Sequence, residues 1–445
     1  QATNPAAPFG AGQRFEFAPE LVQRHFGQIL VDPADLTTLP MLNERTEPCH
    51  KPHASQKSWV RPNGIERRGD DVCLTSASHS MLEVRARIAN AAPVTPAPPP
   101  NQQTLPGIQM LPKGGRVLIV RLSALGDVLF ALETVAALHR ERPDVTIDFL
   151  VEDRFQNLLE DHPQIDSVVV YPRRHRWRIP MSLLALRRRR YDVALDVHGI
   201  QKSAMHMLFV RARHKVGPAA PASREGATYS YNLTVPMPTP PPHRAVIGHM
   251  LLKAIGLSGE ATAPSIATTE PPASLLNGLP RPRVLLHPGT FAAFKRWPPE
   301  RFAELARRLC ARGIGVVVGY GPGEHELAAP ALASAPECRA ADGSKLGLAG
   351  LGGTMRHCDV VVAADTGPLH LAAAVGARCV AIFGPKNEHR YGPRGHGDVQ
   401  HELVFHPVPC RPCKRRTCVT PQCVLGIDVD TVEAAVMRQL AKVPS

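Results

Sequence analysis

The sequence predicts an α/β protein of two halves, each a parallel sheet covered by helices on both faces. Three observations predict it. From Met110 onward, short apolar runs alternate with amphipathic stretches. The alternation occurs twice, on either side of an Ala/Pro/Thr-rich segment at 261–282. Several strand-to-helix turns set small residues beside polar ones, as the ligand-binding turns of such sheets do.

In the first half, apolar runs predict strands at 117–122, 146–151, 167–171 and 193–197. Helical spacing predicts helices at 128–142, 154–161, 182–190, 201–211 and 243–255. The second half repeats the scheme with strands at 284–287, 315–318, 359–364 and 379–383. Its helices are expected at 299–312, 324–335, 367–375 and 428–440. Pro299 suits a first helical turn, and Asp428 or Asp430 an N-cap. The division follows: 110–260 and 283–445 as Rossmann-like domains, 261–282 as linker, and a ligand cleft at the C-terminal ends of the strands.

Residues 1–109 have another texture: one helix-like stretch at 17–30, otherwise turn-forming and polar, ending in a proline tract at 93–100. They are expected to be a low-structure extension. Met110 would stand close to a natural start, the alternative being a native tail with a Pro-rich linker. The chain has 445 residues, with 52 Lys+Arg, 39 Asp+Glu and a formal charge of +13. Residues 1–109 hold ten of each sign, so the whole excess lies from Met110 onward. Such an excess allows nucleic acid, an anionic membrane surface or a phosphorylated substrate. No run approaches ~20 apolar residues, which excludes a membrane-spanning helix, and no secretory pattern opens the chain, so the cytoplasm is the expected location.

Three turns carry the chemistry. Ser123-Ala124-Leu125-Gly126-Asp127 follows the first strand. Its Gly-containing turn offers backbone N–H groups to an anion, and Asp127 could take a proton from a hydroxyl or simply cap the helix. His287-Pro288-Gly289-Thr290, followed by Lys295-Arg296-Trp297-Pro298, pairs a hydroxyl with an ammonium, which suits a phosphate. Asp365-Thr366-Gly367-Pro368-Leu369-His370 opens another helix, so the second half presents two anion-ready turns, which suits a diphosphate. Gly319, Gly321 and Gly323 lie on the same rim but lack the dinucleotide fingerprint after the first strand, which disfavours hydride chemistry.

Together and in this order, the three motifs resemble glycosyltransferase family 9, the ADP-heptose:lipopolysaccharide heptosyltransferases. The likeness spans about 116–442. Asp196-Val197-His198-Gly199-Ile200-Gln201-Lys202-Ser203 is similar to a family segment in which Gln usually stands where His198 is. The resemblance implies a GT-B fold with two Rossmann-like domains facing a cleft, and an inverting transfer of heptose from ADP-heptose to the lipopolysaccharide inner core, on a Kdo/heptose-lipid A acceptor. It implies Asp127 as catalytic base; Thr290, Lys295, Glu324, Asp365, Thr366, Gly367 and His370 at the donor; Ser123, Gly126, His198 and Lys202 at the acceptor. No cofactor is then required for catalysis.

Cys410, Cys413, Cys418 and Cys423 form C-x2-C-x4-C-x4-C, which predicts a structural Zn site or, alternatively, free thiols or two disulfides. Arg173, Arg174, Arg176, Arg178 and 187–190 crowd the first half. They read either as a solvated face or as a surface holding the enzyme peripherally on the inner membrane near an anionic glycolipid. Another GT-B nucleotide-sugar transferase and, outside enzymes, a nucleic-acid binder using the Cys/Arg segment are the alternatives.

Overall fold

The structure, a computed structural model, describes residues 110–413, 415 and 417–443. The extension at 1–109, with its helix-like stretch and proline tract, and Lys414 and Arg416 lie outside the described residues.

Runs rich in Val, Leu and Ile form the central strands, because branched side chains fit a pleated sheet buried on both faces. The first sheet contains β1 (Arg116–Val120), β2 (Thr146–Glu152), β3 (Ser167–Tyr171), β4 (Arg190–Asp196), β5 (Arg211–Pro218) and β6 (Leu233–Val235). The second contains β7 (Arg283–His287), β8 (Gly315–Tyr320), β9 (Arg339–Asp342), β10 (Val360–Ala364), β11 (Arg378–Phe383) and β12 (Glu402–Phe405). Every pairing is parallel. The orders are β3-β2-β1-β4-β5-β6 and β12-β11-β10-β7-β8-β9. Both are the doubly wound order, whose direction reverses between β1 and β4 and between β7 and β10. Ligands of such sheets sit at that reversal, beyond the C-terminal strand ends.

The helices are α1 (Leu125–Glu141), α2 (Ile179–Arg188), α3 (Gln201–Phe209), α4 (Val246–Ala254), α5 (Pro299–Ala311), α6 (His325–Ser334), α7 (Gly343–Arg356), α8 (Gly367–Ala374) and α9 (Val429–Leu440). α5 is an ordinary surface helix that buries Phe302, Leu305, Ala306 and Leu309 on one stripe. α1 differs. Every residue from Val128 to Leu138 is buried, because the helix lies between its own sheet, α4 and α8. A helix enclosed on all sides has no polar stripe to display. α9 starts where its cap chemistry requires, with Asp428 accepting the Thr431 N–H at 2.7 Å.

Four strands and one helix depart from the sequence expectation. β5 is mostly basic, and β6, β9 and β12 are three or four residues long, too short for a period to show. α7 holds five glycines, a composition that disfavours helix in isolation. The tertiary structure explains one of them: a Cβ on Gly353 would lie 1.9 Å from the Thr269 carbonyl oxygen. The segment at 261–282 is thus packed along α7, and Thr269 N–H also bonds the Ala349 carbonyl at 3.3 Å. The 154–161 stretch is a 3-10 turn, Asp153–Leu158.

Trp297 anchors the second half. It is fully buried, stands edge-on to Phe302 at 4.8 Å and donates its indole N–H to the Ile427 carbonyl at 2.9 Å. Trp297→Ala is expected to lower the unfolding free energy by about 3–5 kcal/mol, read from urea or guanidinium midpoints. Trp297→Phe, which keeps most of the volume, should cost markedly less.

Candidate active site

The rims of the two sheets meet through two helix N-termini. α1 follows β1 and α8 follows β10, and they are packed so closely that a Cβ on Gly126 would lie 2.3 Å from His370 Cδ2. A Cβ on Gly367 would lie 2.7 Å from Leu125 Cδ2. Glycine at both positions is therefore a packing requirement. His370 is buried and stands edge-on to Phe130 of α1 at 4.8 Å, and Phe130 meets His243 in the same geometry. Burial pushes the His370 imidazole down, partly offset by the carboxylates of Asp365 and Asp127.

Asp127 does not cap α1. The N-cap is Ala124, and Asp127 stands third in the helix with its carboxylate on two arginines. Arg121 Nη2 lies 2.5 Å from Oδ2, and Arg244 Nε 3.4 Å from Oδ1. Arg121 is buried and pinned, donating to the Val197 carbonyl at 2.8 Å and the Ser123 carbonyl at 3.1 Å. Burial alone would raise the Asp127 carboxyl, but Arg121 first and Arg244 second hold it down at about 2. Burial lowers Arg121 to about 10 against the pull of Asp127. A small cavity of about 10 Å³ lies beside the pair, lined by Phe130, Thr134 and Val197 among others.

His198 is buried, and its Nδ1 has no hydrogen-bond partner. Its backbone N–H bonds Asp196 Oδ1 at 2.9 Å. Burial, then the positive field of Arg121, brings its imidazole to about 2. Lys202 is exposed in the first turn of α3. Ser123, Gly126, Asp127 and His198 thus share one rim, with Lys202 at its outer edge.

On the second rim, Lys295 is ion-paired with Asp365, and His370 Nε2 lies 4.0 Å from Asp365 Oδ1. Thr290 is buried after β7, and Thr366 is the N-cap of α8, its hydroxyl making no cap bond. Glu324 accepts the Gly321 N–H at 2.9 Å and rests on Gly289, where a Cβ would lie 2.0 Å from Oε2. His287, beneath this turn, is buried with both ring nitrogens unpartnered. Thr290, Lys295, Glu324, Asp365, Thr366, Gly367 and His370 therefore occupy contiguous turns of one rim.

The sequence reading missed Arg121 and Arg244, the first just ahead of Asp127 and the second 117 residues beyond it, which meet at its carboxylate. An Arg closing an otherwise apolar first strand was the available signal. It also missed Phe291, which projects fully exposed from the Thr290 turn.

The metal expectation is corrected. Among the described residues no group of three or more His, Cys, Asp or Glu side chains is placed to hold a metal ion. Cys423 sits on the helical turn Gln422–Leu425 with its thiol in the core near Gly384, whereas Cys410 and Cys418 are exposed. Burial raises the Cys423 thiol, the opposite of what a thiolate ligand needs. Of the other cysteines among the described residues, Cys358 and Cys379 are buried and Cys310 and Cys338 half-buried.

Two facing doubly wound sheets, a carboxylate on one rim and a Lys/helix-terminus cradle on the other, define a GT-B type of transferase. The model of glycosyltransferase family 9 (heptosyltransferase) matches residues 183–424. Lipopolysaccharide heptosyltransferase 1 of Pseudomonas aeruginosa is 31% identical over 322 residues, covering 68% of this chain and 87% of that protein. Its Escherichia coli counterpart is 28% identical, covering 63% and 91%. The solved family 9 glycosyl transferase of Veillonella parvula superposes with a TM-score of 0.64 at 20% identity, covering 74% of this chain and 98% of that one. An Escherichia coli heptosyltransferase solved with ADP gives 0.59 at 24% identity, covering 73% and 99%. The chain belongs to glycosyltransferase family 9 and is an enzyme that transfers a sugar from a nucleotide sugar.

Two expectations follow. Gly126→Ala forces α1 and α8 apart, and turnover should fall by about tenfold or more with the circular dichroism spectrum unchanged. The Asp127 carboxyl, ordinarily at 3.8 and held at about 2, contributes stability that is complete above its ordinary value and lost as the pH falls through about 2. The stability gap between wild type and Asp127→Asn, from urea unfolding across pH, should be constant at neutral pH and shrink below about 4.

Proposed function

We propose that this enzyme transfers heptose from ADP-heptose to an acceptor hydroxyl of the lipopolysaccharide inner core, with inversion at the anomeric carbon. The observation that carries the reading is the juxtaposition of Asp127 with the α8 turn. A carboxylate from one half and a phosphate cradle from the other meet at a single point between the rims. The names of the relatives supply the substrates: lipopolysaccharide heptosyltransferases in three bacterial genera, and a structural neighbour solved with ADP-2-deoxy-2-fluoro heptose.

In this reading Lys295, the Thr290 and Thr366 hydroxyls and the N-terminus of α8 hold the diphosphate. As the sugar–phosphate bond breaks, positive charge develops at the anomeric carbon and negative charge on the leaving ADP. The helix terminus is fixed by the fold, and Lys295, once drawn from Asp365 to the diphosphate, faces the same negative charge; both stabilise it as it develops. Asp127 takes the acceptor proton on the opposite face of the sugar. His370 and Asp365 fix Lys295, Glu324 shapes the nucleoside side of the rim, and Ser123, Gly126, His198 and Lys202 face the acceptor. The acceptor is a lipid, so the reaction is placed at the cytoplasmic membrane face. No helix among the described residues is long and apolar enough to cross a membrane.

The base is held low by Arg121 and Arg244, so its strength depends on how the acceptor rearranges those pairs. Asp127→Asn is expected to cut turnover by at least about 100-fold, while ADP binding measured by calorimetry persists. Retained turnover removes the base assignment. Donor turnover on Kdo-lipid A, with ADP-heptose set against UDP- and GDP-sugars, tests the substrate reading, and preference for a UDP- or GDP-sugar overturns it.

A further inference from the structure

The first half carries an exposed apolar face that its own fold leaves uncovered. The loop after β3 leads through a 3-10 turn, Arg176–Arg178, into α2. Trp177 is 69% exposed, Met181 65% and Leu184 50%. Their spacing of four and then three places them along one stripe. α3 packs against α2 and turns outward a second stripe, Met205, Leu208 and Phe209, all exposed. The inward stripes are ordinary: Leu186 and Met207 are fully buried in one core cluster, and Ser182 Oγ donates to the Val170 carbonyl at 2.7 Å. Two adjacent helices are thus anchored correctly and still display large apolar side chains to the outside. A contiguous apolar display of this kind marks an interaction surface.

The charge around it selects the partner. Residues 172–190 hold eight arginines and no Asp or Glu, and 201–215 add two arginines and two lysines, again without a carboxylate. Among the described residues, Arg174, Arg176, Arg178, Arg187 and Arg188 form no ion pair. Arg178 lies over the Trp177 ring at 4.8 Å, one cation beside an amphipathic indole. Aromatic and aliphatic side chains ringed by unmatched cations are the composition that seats in the interface of an anionic bilayer. A protein interface of this size would be depleted of charge at its centre.

The location fits delivery to the cleft. The loop after β3 and the start of α3 both leave the C-terminal edge of the first sheet, the edge that carries Asp127, His198 and Lys202. We propose that the outer faces of α2 and α3, with Trp177 as the leading side chain, form a docking surface for an anionic lipid leaflet that presents a membrane-embedded acceptor to the first rim. The proposal rests on the lipid-acceptor reading above and adds the surface and the lipid chemistry that it reads.

The test uses the full chain and flotation with vesicles of phosphatidylglycerol and phosphatidylcholine in equal parts, against vesicles of phosphatidylcholine alone. Binding should require phosphatidylglycerol, fall with added salt and shift Trp fluorescence to the blue. Arg187→Ser with Arg188→Ser should weaken it by roughly 25-fold, about fivefold for each cation near the surface. Trp177→Ala with Leu184→Ser should weaken it by at least about tenfold, with an unchanged circular dichroism spectrum and unchanged turnover on a delipidated, water-soluble acceptor. Absent binding, equal binding to neutral vesicles, or wild-type binding by both double variants overturns the proposal. So does a change confined to self-association in sedimentation, which would mean that a second copy covers the face. Vesicle binding does not depend on turnover: a chain that docks but transfers no heptose fails the functional reading and not this one, and a chain that turns over a soluble acceptor but ignores vesicles fails this one alone.

Discussion

The contact between α1 and α8 sets the geometry of everything else in the enzyme. Two sheets that each fold around their own core present their helix N-termini to one another, and the space between Gly126 and His370 does not accommodate one additional carbon. At interior packing density that leaves no slack for sliding. Asp127 is one residue beyond Gly126, and Asp365 and Thr366 immediately precede Gly367. The distance between the Asp127 carboxylate and the turn that opens α8 is therefore set by a packing contact rather than by a loop. Polar contacts further along α1 reinforce it. Glu133 is buried and lies 3.4 Å from His249 of its own half and 3.3 Å from Arg394 and 3.6 Å from His396 of the other. Burial opposes its charge, yet the His249 and His396 bonds and the Arg394 charge hold its carboxyl at about 2. Arg244 joins in through its backbone, donating its N–H to the Arg390 carbonyl at 3.1 Å.

Much of this was readable in the chain. The central strands were legible because a parallel strand buried on both faces has to be an unbroken apolar run, and β1, β7, β10 and β11 are such runs. The turns were legible because a close backbone approach needs small residues. The strands toward the sheet margins were not, since β5 carries basic side chains beside the three-residue β6, and β12 is a short edge strand with half-exposed side chains. α7 was hidden by its glycines, and the reason for one of them, the Thr269 carbonyl against Gly353, lies more than eighty residues earlier. At the site the limit is of the same kind. A motif shows Asp127 next to a helix start, but whether it caps that helix depends on Arg121 and on Arg244, and no local pattern connects 127 to 244. The cysteine spacing misled for the complementary reason: spacing sets what four thiols can reach, and Cys423 is instead drawn into the core beside Val424.

The charge excess that first pointed to an anionic partner divides into three physical situations. Arg121 and Arg244 share the single carboxylate of Asp127, which leaves one positive charge in excess there, and Lys295 is matched by Asp365, so at each rim the cations already have a carboxylate partner. Compensation lets a cation stay in a low-dielectric cleft, where an unmatched charge would be costly. It also means that an arriving anion competes with a carboxylate rather than meeting a bare cation, so the gain is a difference between two pairings. In the proposed reaction the incoming donor group is a diphosphate with more charge and more acceptor oxygens than Asp365, and the α8 terminus would add to it but does little for a side chain beyond its first turn. The exchange at Lys295 therefore favours the donor.

In the proposed reaction the same logic acts at Asp127, the proposed base. Arg121 is pinned by two backbone carbonyls and has nowhere to go, whereas Arg244 holds only one oxygen, at 3.4 Å. An anionic group on the acceptor draws on Arg244 first, because that pair is the longer one and its loss leaves the carboxylate still partnered. Each weakening of a cation's hold would let the Asp127 carboxyl rise from about 2, so that in the proposed reaction a stronger base results only when the acceptor is in place. Of the cations along 172–190, Arg174, Arg176, Arg178, Arg187 and Arg188 have no carboxylate to compensate them, whereas Arg173 and Arg189 pair with Glu152 and Asp148. These five stay in solvent on α2 and the turn that leads into it, where a high dielectric makes their isolation inexpensive and a negatively charged surface would be felt at a Debye length. Matched charges in the cleft and unmatched charges outside it are two answers to one constraint, the cost of an ion in a medium that cannot solvate it.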